Sequence, residues 1–190
     1  MKRVLFGRYF SDVDTLEEIP WIVINETEEG VLLLCENCIE SMRYAYEENE
    51  IDNPVWENCD IRHWLNNYFL DTSFTPEEKN QILPQEIITE EGTMVIDKVF
   101  LLSKEEVEAY LPDQEERRAQ PTDWARRNED DFDGLVVIDG YCTWLLRGTS
   151  KVFNGNWTGI SSKGELDLTG ADFYFGPETG VRPALFLKKS

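Results

Sequence analysis

The order of local signals along the chain predicts an α+β domain built on a twisted antiparallel sheet. Three observations carry this. Apolar runs that read as strands open the chain, helical signals fill its middle, and strand signals return from Leu135 onward. The regular strand–helix alternation of a parallel sheet is absent. A length of 190 residues with 41% hydrophobic and 12% aromatic content supports one core, so residues 1–190 are read as a single domain.

Residues 4–9 alternate as a first strand, and residues 18–24 form a second with Pro20 at its entry. Glu28-Glu29-Gly30 is a turn, and Val31-Leu32-Leu33-Leu34 a buried third strand, which together read as a hairpin. Residues 38–46 suit a short helix, and residues 47–54 a polar loop. Ile61, Trp64, Leu65, Tyr68 and Phe69 recur at helical spacing, so residues 60–69 form an amphipathic helix with an aromatic face. Thr75-Pro76-Glu77-Glu78 carries an N-cap, a proline at the first helical position and a capping-box glutamate. That helix ends before Pro84, and residues 86–89 have strand character. Residues 99–102 read as a strand. Ser103 and Glu106 then cap a helix that runs to Tyr110 and stops at Pro112.

Residues 113–134 read as an exposed segment holding a short helix over 122–127. The closing strands are expected at 135–138, 143–147, 152–153, 173–175 and 181–187, and the first and last strands are expected to pair.

Asp and Glu number 38 against 18 Lys and Arg, a formal net charge of −20. That field repels nucleic acid and anionic membrane surfaces. Solubility alone accounts for it. No apolar run reaches membrane-spanning length and no cleavable leader stands in residues 1–10, so the sequence reads as cytoplasmic.

Cys35, Cys38, Cys59 and Cys142 are expected to be free, buried thiols. Cys35-Glu36-Asn37-Cys38 has the spacing of half a zinc site but lacks a second close pair. The acidic run 128–134 resembles a calcium loop whose twelfth position is Gly140 rather than glutamate, so a solvated loop is expected. His63 is the sole histidine, one helical turn from Cys59, which reads as helix neighbours rather than a catalytic pair. No cofactor is expected.

The chain carries Ile19-Pro20-Trp21-Ile22-Val23, then Trp56-Glu57-Asn58-Cys59-Asp60-Ile61-Arg62-His63-Trp64-Leu65-Asn66, then Asp97-Lys98-Val99-Phe100-Leu101-Leu102-Ser103. It closes on Trp144-Leu145-Leu146-Arg147 and Gly180-Val181-Arg182-Pro183-Ala184-Leu185. This succession resembles an uncharacterised bacterial domain family, and its ending is similar to C-type-lectin-like and formylglycine-generating-enzyme-like domains. The resemblance implies a C-type-lectin-like fold: a twisted antiparallel sheet, two main helices and a long loop region. It implies no reaction. Cys142 alone departs from the paired late cysteines of formylglycine-generating enzymes, and the calcium-binding tripeptides of classical lectins are missing.

The expected function is a non-catalytic module that binds an unknown protein or small ligand through loops 113–134 and 148–178. Trp124, Phe132, Asn154, Trp157 and Tyr174 are the candidate contacts, while Arg62, Trp64, Trp144, Arg147 and Arg182 are read as structural. The alternatives are an acidic inhibitor that mimics nucleic acid and a thiol-dependent enzyme using Cys59 or Cys142.

Overall fold

The acidic turn before Gly30 does join two antiparallel strands. The computed structural model describes residues 2–46, 54–89, 92–127, 134–150, 156–169 and 178–189. In it, β1 (Arg3–Asp12), β2 (Thr15–Glu26) and β3 (Gly30–Cys35) form a meander. The Thr27 hydroxyl oxygen accepts from the backbone N–H groups of Glu29 and Gly30, each at 3.2 Å, which closes the β2–β3 turn. Glycine is required at position 30, because a Cβ there would lie 2.4 Å from the Leu187 carbonyl oxygen.

After β4 (Glu40–Met42), one continuous helical run covers residues 60–73: α1 (Asp60–Trp64), a π-helical turn (Leu65–Phe69) and α2 (Leu70–Ser73). The run extends past the expected end because Phe69 and Ser73 continue its buried face. At the wide turn, Asn66 donates to the carbonyls of Arg62 and Val99, and its own oxygen accepts from the backbone of Lys98 and Val99. One amide side chain thereby fastens the helix to β8 (Val99–Phe100). Helix α3 (Pro76–Lys79) and helix α4 (Lys104–Tyr110) both start with the predicted capping boxes, Thr75 with Glu78 and Ser103 with Glu106. Between them lie β5 (Ile82–Leu83) and the β6 (Gln85–Ile88)–β7 (Met94–Asp97) hairpin.

Helix α5 (Gln114–Arg117) leads to β9 (Val137–Ile138), β10 (Tyr141–Cys142), β11 (Trp144–Thr149), β12 (Trp157–Ile160) and β13 (Leu166–Asp167). The chain closes with β14 (Thr179–Val181) and β15 (Ala184–Lys188). The larger sheet has the order β1-β2-β3-β15-β5, with β8 also on β15, and every pairing in it is antiparallel. A second sheet has the order β13-β12-β11-β14-β4 and contains one parallel contact, Trp144 opposite Gly180. The molecule is thus mostly sheet with short helices, among the described residues.

Four local expectations are corrected here. Residues 40–42 are a strand, not helix, because β14 offers them an antiparallel edge. The strand expected over 181–187 is two strands, split at Arg182-Pro183, where the chain passes from one sheet to the other. The terminal strands do not pair: β15 lies against β3, and β1 pairs only with β2 among the described strands. Segment 117–125 is not an exposed loop, since Ala119 and Ala125 are fully buried. The cause is backbone hydrogen bonding that periodicity does not encode: Cys38 N–H donates to Gln120, and Thr122 N–H donates to Cys38. Expected strands at 152–153 and 173–175 lie outside the described residues.

Arg182 occupies the seam between the sheets. Its guanidinium donates to the carbonyls of Cys35 (2.9 Å), Arg117 (3.1 Å) and Glu36 (3.4 Å), and it stacks 5.0 Å from the Trp144 ring centre. Burial pushes its pKa down.

Candidate functional site

Of the side chains read from sequence as contacts, Trp124 and Trp157 are among the described residues, and neither is an exposed contact. Trp157 is buried within β12, so it is not a surface contact. Trp124 is half-buried, stacks on Phe10 at 4.9 Å and donates its indole N–H to the Glu40 carboxylate at 2.9 Å. Glu40 also accepts from the Tyr9 hydroxyl, the Ser41 backbone and Arg127, so Trp124 belongs to a buried polar junction between β1, β4 and segment 117–127. Phe132, Asn154 and Tyr174 lie outside the described residues.

The residues read as structural all have internal partners. Arg62 pairs with buried Asp97, whose carboxylate also accepts from the Trp56 indole N–H at 2.9 Å. Trp64 packs against Tyr9 and Phe69. The Trp144 indole donates to the Arg117 carbonyl at 2.8 Å. Arg147 makes a two-pronged pair with Glu106, at 2.6 and 2.9 Å, and donates to the Leu101 carbonyl at 2.7 Å. Glu106 therefore holds both the α4 cap and strand β11.

The thiols offer no accessible nucleophile in this state. All four are free, and none has exposed surface. Burial pushes Cys35 and Cys59 up to about 12, and Cys38 is raised as well by burial and by neighbouring Cys142. His63 stands exposed on the helix while Cys59 is sealed beneath it, its thiol donating to the Trp56 carbonyl at 3.6 Å. Among the described residues no group of three or more His, Cys, Asp or Glu is placed to hold a metal.

These shifts fix the sign of a pH effect. A thiol with a raised folded pKa keeps a proton that the unfolded chain releases, so its contribution is complete below the ordinary thiol pKa and is lost toward pH 12. Stability against urea is expected to fall above about pH 8.5 by up to about 1.4 kcal/mol per pH unit for each such thiol. Cys59→Ala should make that decline shallower. Iodoacetamide labelling of the native protein should stay slow until unfolding begins.

One cavity of about 290 Å³ does bring chemistry to the surface. Its apolar side is formed by Trp56, Ile88 and Leu168, and its polar side by Ser103, Lys104 and Arg147. Hydroxyls of Thr89, Thr149 and Thr158 stand around it. The α4 capping box places Ser103 and Lys104 there, and the Asp97 carboxylate fixes Trp56. Strand β11 supplies Arg147 and Thr149. Lys104 is half-buried and takes no carboxylate partner among the described residues, whereas Arg147 is neutralised by Glu106. The side chains converge from six places in the chain without any fixed spacing, so the sequence marks none of them as a ligand contact: Arg147 reads as structural, Ser103 as a helix cap and Trp56 as part of a family motif. The one legible signal was the Ser103 cap, which locates Lys104 at the first turn of its helix.

The described residues thus form a mostly β protein with short helices and a mixed polar and apolar cavity. Residues 29–189 match the family described as Domain of unknown function (DUF6273), and the chain belongs to that family. No curated protein and no solved structure matches the chain. Among the described residues no helix is long and apolar enough to cross a membrane.

Proposed function

We propose that this chain is a non-catalytic binding module on a C-type-lectin-like scaffold, with recognition centred on the cavity beside the start of α4. The curled antiparallel sheet, the two principal helical runs at 60–73 and 104–110, and the chain-closing β15 inside the larger sheet support the scaffold. The observation that carries the function is a division of side chains. Every thiol is sealed in the core, and the one imidazole faces solvent away from them. The cavity instead exposes an ammonium, several hydroxyls and an apolar wall. A few polar groups on an apolar concavity is the general form of a ligand site. Part of its rim, residues 148–149, 158 and 168, comes from the loop region expected to carry recognition.

A thermal-shift screen of a mixed small-molecule library tests this reading, with Leu168→Trp as the blocking variant. Leu168 is 37% exposed at the cavity wall, so a larger side chain there fills the opening without entering the core. Hits that raise the melting temperature of the unmodified chain are expected to lose their effect in Leu168→Trp. Hits that survive it place recognition elsewhere.

A further inference from the structure

The charge balance inside the cavity selects a ligand class, an inference that rests on the cavity being the recognition site. Two cations line it, and they are not equivalent. Both terminal nitrogens of Arg147 are committed to Glu106, and one also serves the Leu101 carbonyl. The Lys104 ammonium has no hydrogen bond or ion pair with any described residue. Glu108, one turn along the same helix, is the usual i,i+4 partner for a lysine, yet the two do not come within ion-pair distance. Glu105 also lines the cavity rim and makes no ion pair with Lys104. The cavity therefore presents one cation without an ion pair, half-buried Lys104, beside hydroxyls and opposite Trp56, Ile88 and Leu168.

We infer that the cavity binds a small organic monoanion, a carboxylate attached to an aromatic or branched apolar body. The carboxylate takes the Lys104 ammonium, and the body lies against Ile88 and Leu168. One free cation matches one negative charge. A phosphate monoester brings close to two, and the second would stand near the rim carboxylate of Glu105 without a second unpaired cation to meet it. The space agrees: an apolar cavity of about 150 Å³ accepts benzene, so about 290 Å³ holds a ring together with a carboxylate arm.

A matched series around one body provides the test: 3-phenylpropionate, its primary amide, the corresponding alcohol and amine, and phenyl phosphate. Titration calorimetry is expected to give saturable binding of the acid with a Kd of about 0.1–1 mM, the range open to about eleven heavy atoms. The amide and alcohol should bind at least tenfold more weakly, and the amine should not bind. Lys104→Met should weaken the acid at least tenfold while leaving the urea midpoint unchanged. Equal binding of the acid by Lys104→Met overturns the inference, and so does phenyl phosphate or the amine binding as tightly as the acid. Absence of binding by the whole series also overturns it. In that case the cavity reading itself survives only if other library hits are lost in Leu168→Trp, so the two failures are distinguishable.

Discussion

Replacing Arg182 with leucine should be the most damaging single change in the described structure. The guanidinium is buried and is shared among three carbonyls from two separate chain crossings, at Cys35-Glu36 and at Arg117. Leucine fills part of the volume but takes this donor from the Cys35 and Glu36 carbonyls and leaves Arg117 only the Trp144 indole, and an unpaired buried polar group costs about 1–3 kcal/mol each. Partial relaxation lowers the sum, so a loss of about 3–5 kcal/mol is expected. For a chain of this size that is a fall of about 6–20 °C in melting temperature. Arg182→Lys should recover less than half of the loss, because a single ammonium cannot reproduce a planar fork aimed at divergent acceptors. A lysine variant with the melting temperature of the unmodified chain would show that charge at the seam, rather than fork geometry, joins the sheets.

The second large effect is expected at Asp97. Its carboxylate is sealed at the end of β7, where it accepts from the Trp56 indole and pairs with Arg62. Asp97→Ala removes one partner of a mostly buried ion pair and strands an indole N–H, a loss of about 2–4 kcal/mol. Asp97→Asn keeps the acceptor for Trp56 and forfeits only the charge, so a smaller loss of about 1–2 kcal/mol is expected. Urea unfolding with an unchanged m-value checks both. Because Trp56 forms one wall of the cavity, Asp97→Ala should also weaken any ligand there, a coupling that a purely structural pair at a distance would not show.

What the sequence made legible, and what it hid, divides along the reach of the interactions. The Thr75 and Ser103 capping boxes were readable because each is closed within four residues, and the aromatic stripe from Ile61 to Phe69 because a helix repeats every few positions. Strand β4 was not, because Glu40 and Ser41 are polar and become strand only when β14 meets them from the far end of the chain. Burial of Ala119 and Ala125 depends likewise on backbone bonds to Cys38 and to β10. Trp124 looked like a free aromatic in a charged loop. Its real partners, Phe10 and Glu40, are far away in sequence. The cavity is the extreme case, since residues 56, 88, 104, 147 and 168 share no motif and meet only in three dimensions.

Recognition at the cavity is read out by a residue-assigned amide and indole chemical-shift map, recorded while a fragment library is titrated into the isotope-labelled chain. Binding fragments are expected to move the Trp56 indole together with the backbone amides of Ser103, Lys104 and Thr149, and to leave those of Cys35, Cys59 and Cys142 in place. Shifts that gather instead around the thiols, or covalent adducts formed on them in the folded protein, would contradict it.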